Sequence, residues 1–139
     1  MPTAKEFTIR MQDQPGTLGK TCRALADRGV NILAFQSFSA GAGESQVRLV
    51  ADNPTITKSV LESQGLAITE ADVVQVKLPH RPGELARAAS RLGEADININ
   101  YGYGGLEAGT NAPVVIFGVA EVGKAVAILD QAAAAAAGT

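Results

Sequence analysis

The chain has 139 residues, of which 46% are hydrophobic and none is Trp, and its formal net charge is −2. This length accommodates one ordinary domain or two small domains with an aliphatic core. The slight negative charge argues against a nucleic-acid-binding surface, and no apolar run approaches the ~20 residues that span a bilayer. A single Cys, and a start that lacks the apolar core of a signal peptide, predict a cytoplasmic protein.

The N-terminal part of the sequence alternates strand and helix patterns. Polar and apolar residues alternate in Glu6–Met11, which predicts a half-buried strand. Pro15 and Gly16 end this strand, and the apolar stripe of an amphipathic helix follows at Leu18, Cys22, Leu25 and Gly29. The next predicted elements are a strand at Val30–Phe35, a turn at Gly41–Gly43 and a strand at Gln46–Val50.

A second helix and a short strand complete the first set of elements. Asn53 and Pro54 have the residue types of an N-cap and a first helical position, and Gly65 ends the helix. A short strand is predicted at Leu66–Thr69. The order βαββαβ is the split-βαβ pattern of ferredoxin-like folds.

The second half of the sequence repeats this order. Pro82 lies 67 residues after Pro15 (82 − 15), and the same offset separates Asn98 from Asn31 (98 − 31). At this offset apolar residues align with apolar residues without a gap, as in Phe7 with Val74, Leu18 with Leu85, Val47 with Val114 and Leu49 with Ile116. A long match in register indicates two copies of one structural unit.

The second copy predicts the same elements, except that it stops early. Its elements are a strand Val73–Leu78, a helix Gly83–Ala95, strands Ile97–Tyr103 and Val114–Val119, and a helix from Val122 to about Ala132. Six alanines, Ala132 to Ala137, follow where a last strand is missing, and they predict a fraying helical end. The predicted fold is α+β, with two tandem ferredoxin-like βαββαβ units at residues 1–70 and 71–139, each an antiparallel sheet with helices on one face.

The Pro-Gly pair places a helix N-terminus directly after a strand. The first turn of a helix has free N–H groups and the positive end of the dipole, and Gly16 has no side chain to cover them. Such a position suits a carboxylate, although other small anions also fit it. The amide of Asn31 adds donors and an acceptor, so the two features together could hold a zwitterion. The structural alternative is a plain tight turn and a strand-edge cap.

The pattern Asp-x-Pro-Gly-x-Leu, followed by an amphipathic helix and Val-Asn-Ile, resembles the ACT domain, a regulatory module found on enzymes of amino-acid metabolism. The resemblance covers Lys5 to about Ala132. It implies a stand-alone tandem ACT protein that is not an enzyme, uses no cofactor and binds an amino acid or related small metabolite at the interface of paired units. The ligand-binding positions that it implies are Asp13, Gln14, Pro15, Gly16, Thr17, Leu18, Asn31, Ile32, His80, Arg81, Pro82, Gly83, Glu84, Leu85, Asn98 and Ile99.

Three further features of the sequence bear on possible chemistry. His80 replaces the Asp13 of the first copy and is the only histidine, which argues against a zinc site and a catalytic triad; it is a turn residue or a pH-sensitive contact. Cys22 is predicted to be a small core residue rather than a nucleophile. The glycine-rich run Tyr101–Gly105 lacks the context of a phosphate-binding loop, and predicts a mobile strand end and a hairpin loop through Asn111, which could cover a ligand.

Two functions stay open at this point. The first is an amino-acid-sensing regulatory module, acting as a homodimer with an enzyme of amino-acid metabolism as a partner. The alternative is a ligand-free protein-interaction or oligomerisation module that pairs through sheet edges. The flanking charges predict that the copy with Asp13 beside the neutral Gln14 is the better amino-acid site, because Glu84 partly offsets the charge of Arg81 in the other.

Overall fold

The structure is a computed structural model that describes the backbone of residues 3–137 and the side chains of residues 3–130. The described elements are β1 (Thr3–Gln12), α1 (Thr17–Asp27), β2 (Ile32–Gly41), β3 (Glu44–Ala51), α2 (Pro54–Ser63), β4 (Ala67–Lys77), α3 (Glu84–Glu94), β5 (Tyr101–Leu106), β6 (Pro113–Gly118) and α4 (Val122–Ala137). The chain divides after Ala71 into two compact units, Lys5–Ala71 and the remainder. Within the described range, no helix is both long and apolar enough to cross a bilayer.

The first unit is built on a sheet in which β3 pairs antiparallel with both β1 and β2. Side chains at every second position of β1 and β3 are buried against α1 and α2, since successive strand residues point to opposite faces. This core contains Phe7, Ile9, Met11, Leu25, Val47, Leu49, Val60 and Leu61. The β2–β3 connection is a two-residue turn in which Ala42 and Gly43 both have positive φ, 54° and 76°. Such a turn matches the twist of a hairpin.

The second unit has the same strand pattern, with β6 paired antiparallel with both β4 and β5. Its core includes Val74 from β4, Phe117 from β6, Ala88 and Leu92 from α3, and Ala125 from α4. In each unit the helices therefore pack on one face of the strands. The prediction of an α+β fold with antiparallel pairing is confirmed.

The two units differ by one residue in the connection before β6. Phe7 pairs with Leu49 in the first unit, but Val74, the counterpart of Phe7, pairs with Phe117 in the second. The offset therefore changes from 67 to 68 (117 − 49), and the ungapped match of Leu49 to Ile116 was wrong. The sequence concealed the shift because both residues are apolar, although a one-residue slip turns a side chain to the other face of the sheet.

Three predicted boundaries also need correction. Residues 67–77 form one strand, β4, where the sequence predicted two. The strand predicted from Ile97 begins only at Tyr101, since residues 97–100 are irregular. The glycine-rich run therefore lies inside β5, and the predicted hairpin loop follows it at residues 107–112. The helix predicted to end near Ala132 continues, because α4 is helical through Ala137.

Both Pro-Gly pairs form the same turn directly before a helix, as predicted. Gly16 has φ 88° and ψ −13°, and the N–H of Thr17 donates to the carbonyl of Gln14 at 3.3 Å. Gly83 has φ 88° and ψ −11°, and the N–H of Glu84 donates to the carbonyl of Arg81 at 3.4 Å. These angles belong to the third residue of a type II turn, which requires the left-handed conformation that glycine adopts without strain.

We expect Gly16→Ala and Gly83→Ala to lower the free energy of unfolding by similar amounts, about 1–2 kcal/mol each, because alanine is strained at this φ although nothing lies within 4 Å of the added methyl group. Gly19→Ala is the matched control. Gly19 lies inside α1, and its surroundings are equally open. Its replacement by Ala should therefore raise the free energy of unfolding by up to about 1 kcal/mol. Chemical denaturation measures all three, and an unchanged stability of Gly16→Ala would contradict the turn assignment.

Candidate functional site

The N-terminal ends of α1 and α3 receive no side-chain cap from the residues whose side chains the structure describes. By contrast, α2 is closed in the usual way, since the N–H of Ile56 donates to the side-chain oxygen of Asn53 at 3.0 Å. The N–H groups of Thr17 and Glu84 donate within the turns, and the remaining first-turn N–H groups of α1 and α3 are available to an acceptor from outside the helix. Both uncapped ends follow the Pro-Gly turns that the sequence singled out.

Asp13, directly before the first turn, holds the hairpin between β2 and β3. Its two carboxylate oxygens accept hydrogen bonds from the hydroxyls of Ser39 at 2.7 Å and Ser45 at 2.8 Å, and its N–H donates to the carbonyl of Gly43 at 2.9 Å. The hydrogen bond from Ser39, followed by that from Ser45, lowers the pKa of Asp13 below its ordinary value. The carboxylate is therefore ionised and fixed in position at the start of α1.

In the second copy the charged residues bind one another. Arg81 donates two hydrogen bonds to one carboxylate oxygen of Glu84, from Nε at 3.1 Å and from Nη2 at 2.8 Å. Glu84 is the first residue of α3 and is buried, whereas His80 is exposed. An anionic group therefore already lies in the first turn of α3, and it occupies the arginine that was predicted to contact a ligand.

Asn31 and Asn98 lie at the far ends of their sheets from the Pro-Gly turns. The N–H of Asn31 donates to a side-chain carboxylate oxygen of Asp52, just beyond β3, and the N–H of Asp52 donates to the carbonyl of Asn31, while Asp13 contacts Ser45 near the start of β3. Seven residues of extended chain separate Ser45 from Asp52, which corresponds to ~20 Å. In the second copy the N–H of Leu78, shortly before the turn, donates to the carbonyl of Pro113 at the start of β6. The N–H of Asn100, two residues after Asn98, donates to the carbonyl of Gly118 at the other end of β6. The structure therefore does not bring a turn and its Asn together within one unit.

Most of the remaining predicted positions serve the fold. Leu18 and Ile32 pack against the first core, and Ile99 packs against the second. Leu85 differs from its counterpart Leu18 because its side chain is 53% exposed. Gln14 donates its N–H to the carbonyl of Gln12 at 3.0 Å, which helps to fold the chain back after β1.

Sequence reasoning missed Ser39 and Ser45, which the pairing of β2 with β3 places directly opposite each other. At the corresponding position of the second unit, Leu106 pairs with Pro113. The first copy thus has the carboxylate of Asp13 with two serine hydroxyls, whereas the second copy has His80 and the apolar residues Leu106 and Pro113 at the equivalent positions. Only the strand register reveals this coupled difference, because the residues are far apart in the sequence.

Other reactive groups give little indication of chemistry. Cys22 is partly buried rather than fully buried, and burial raises the pKa of its thiol, which keeps it protonated at neutral pH. Among the described residues, no group of three or more His, Cys, Asp or Glu side chains is placed to hold a metal ion.

We expect Asp13→Asn to reduce stability at neutral pH, because the carboxylate accepts both serine hydroxyls more strongly than an amide can. Since its pKa is lowered on folding, the stabilisation is present above the ordinary pKa and is lost as the pH falls below about 4. The difference from wild type in thermal unfolding should therefore shrink toward acid pH. Asp27→Asn is the control, because it removes an equal charge from an exposed position of α1. If its difference from wild type also shrinks toward acid pH, the role assigned to the Asp13 carboxylate is contradicted.

Comparisons with known proteins agree with this architecture. The sequence model of the ACT domain family matches residues 6–63, and curated proteins give no match. A protein from Bacteroides thetaiotaomicron with a crystal structure is 24% identical in sequence to this chain. The two structures superpose with a TM-score of 0.81, and the match covers 94% of this chain and 88% of that chain.

Two regulatory subunits of aspartate kinase are also similar. That of Thermus thermophilus, in its ligand-free form, is 21% identical with a TM-score of 0.63 over 94% of this chain and 91% of that chain. That of Thermus flavus is 20% identical with a TM-score of 0.61 over 95% and 93%. At these identities the likenesses establish the fold alone, and the similarity to the ACT domain family covers residues 6–63.

Proposed function

We propose that this chain is a regulatory, non-catalytic module made of two tandem ACT-like units, which senses a free amino acid or a related small metabolite. The observation that carries the proposal is the uncapped N-terminus of α1, which lies inside the ACT domain match and next to the fixed carboxylate of Asp13. The shared order of elements and the identical turns support an ACT-like second unit. The fold shared with regulatory subunits of aspartate kinase supports a role in regulation.

The proposed binding mode uses the two charges at the start of α1. The carboxylate of the ligand accepts hydrogen bonds from the free N–H groups of the first turn, and the positive end of the helix dipole favours a negative charge there. The carboxylate of Asp13 retains lone pairs beyond those used by its two serine contacts, and these accept from the ammonium group. Asn31 lies too far away to bind the same molecule within one unit, so its amide can contribute only from a second copy of the chain in a homodimer.

The proposed sites are unequal. The first turn of α1 contains no acidic residue, whereas the first turn of α3 contains Glu84, held by Arg81. Because Glu84 is close to the N–H groups that a ligand would use, it repels a second carboxylate there. We therefore propose the Asp13 copy as the amino-acid site and the His80 copy as the weaker one.

An exchange of equivalent residues tests this assignment. Thr17 is the counterpart of Glu84, so Thr17→Glu should place a carboxylate in the first turn of α1 and weaken amino-acid binding by roughly ten- to hundredfold, the effect of losing a hydrogen bond to a charged group. The natural amino acids are first screened by thermal shift, because a ligand at 100 times its Kd adds about 2.7 kcal/mol. Calorimetry then gives the affinities of the variants.

The reciprocal variant Glu84→Thr is the matched control, and it should leave the stronger binding event unchanged while adding or strengthening a second one. Circular dichroism verifies that both variants keep the wild-type helix content. If Thr17→Glu binds as tightly as wild type and Glu84→Thr abolishes binding, the sites are ranked in the wrong order. If no natural amino acid changes the melting temperature, the sensing function is wrong.

The proposed assembly is a homodimer that docks on an enzyme of amino-acid metabolism. Phe35 of β2 supports an interface on the first unit, because its side chain is 54% exposed and large apolar side chains favour burial. Neither a nucleic acid nor a membrane is part of the proposal.

We expect light scattering to show a dimer at micromolar concentration, and Phe35→Ser to shift the population toward the monomer by at least about tenfold in Kd, since burying one Phe contributes about 1.5–3 kcal/mol. Leu85→Ser is the control, because this side chain is exposed to a similar extent, 53%, but lies on α3 of the other unit. A monomeric wild type, or equal effects of the two variants, would contradict an interface at Phe35.

A further inference from the structure

The end of the β1·β3 pair carries a polar cluster on the face that turns away from α1 and α2. Arg10 pairs with Gln46, and Gln12 pairs with Glu44, two residues further along both strands. Directly opposed residues share a face, and so do residues two apart on one strand, so these four side chains project together. They alternate with Met11 and Ser45, which belong to the face that packs on the helices or contacts Asp13.

Two surface depressions meet at Arg10. One, of about 220 Å³, is lined by Arg10, Thr8, Gln46 and residues 67–69 at the start of β4. The other, of about 290 Å³, is lined by Arg10, Gln12, Glu44, Met11 and residues 65–67. Each volume is large enough for a compound of amino-acid size, and every lining residue belongs to the first unit.

The two charged groups of the larger depression have no partner among the described residues. Arg10 and Glu44 are both exposed, and neither forms an ion pair or side-chain hydrogen bond with any residue in the described part of the chain. They are diagonal neighbours across the strand pair, so their Cβ atoms lie roughly 7 Å apart. Opposite charges at this spacing leave room for a small molecule between their ends.

We propose that this cleft is a second binding site, for a small aliphatic α-amino acid in its zwitterionic form. The guanidinium of Arg10 binds the carboxylate of the ligand, for which its planar donors are suited, and the carboxylate of Glu44 accepts from the ammonium group. Gln12 and Gln46 flank these contacts with further donors and acceptors. The proposal does not rest on binding at the start of α1, because the two sites share no side chain.

The lining also selects the side chain of the ligand. Leu66 and Ala67 contribute apolar surface to the larger depression, and Ile68 does so in the smaller one. An aliphatic group placed against them is removed from water, which favours binding by about 25 cal/mol per Å² of apolar surface buried. A simple inorganic anion would use Arg10 but would leave Glu44 and this apolar surface unused.

Backbone amide shifts of isotope-labelled full-length protein test the site with three matched probes. The probes are L-valine, N-acetyl-L-valine, which lacks the ammonium group, and L-valinol, which lacks the carboxylate. L-valine should shift the amides of residues 10–12, 44–46 and 65–67 in a saturable way, and each of the other probes should bind these residues at least about tenfold more weakly. Arg10→Gln and Glu44→Gln should each reduce the affinity for L-valine to a similar extent.

The controls change equal charges outside the cleft. Arg23→Gln on α1 and Glu62→Gln on α2 are exposed positions and should leave the shifts at residues 10–12 and 44–46 unchanged. If N-acetyl-L-valine binds as tightly as L-valine, and Glu44→Gln increases its affinity, the cleft is a general anion site and the zwitterion assignment is overturned. Saturable shifts confined to residues 16–20 would overturn this site and support the one at α1, and no saturable shift at all would overturn this proposal.

Discussion

The parallel direction of β1 and β2 determines what each Pro-Gly turn can contact. Both strands pair antiparallel with β3, so the end of β1 lies at one end of the sheet and the start of β2 lies at the other. The turn at Gly16 therefore adjoins the β2–β3 hairpin, where Asp13 binds Ser39 and Ser45, and not Asn31. A strand–helix–strand connection returns the chain over the length of the sheet, and this length separates the two motifs in both units.

The two units keep the same backbone at their helix starts but have different chemistry around it. The glycines have nearly identical φ and ψ, since a sharp type II turn leaves few alternatives. The surroundings are less constrained, so Glu84 can occupy the first turn of α3 while the first turn of α1 stays open. Duplication of a unit thus preserves the turn, and it leaves each copy free to use the exposed N–H groups internally or for a ligand.

The sequence predicted those features that depend on near neighbours. Alternation of apolar residues predicted β1 and β3, and Asn53 with Pro54 predicted the start of α2, because each signal lies within a few residues. It did not predict the serine contacts of Asp13, the position of Asn31 or the shift at Phe117. These depend on strand register and direction, which arise from pairing between distant residues, and an apolar residue at both Ile116 and Phe117 gave no local signal.

The additional length of the second unit lies in residues 107–112, and it has a practical consequence for spectroscopy. This connection is held at its base, where Glu107 accepts from Thr110 at 2.7 Å and pairs with Lys77 at 3.3 Å, while Ala108 at its tip is exposed. Exposed loop tips tolerate substitution well. Because the chain has no Trp, an indole introduced by Ala108→Trp would be the sole long-wavelength fluorophore in the protein. The hairpin thus offers a position for an optical probe of the second unit that leaves both proposed sites of the first unit unmodified.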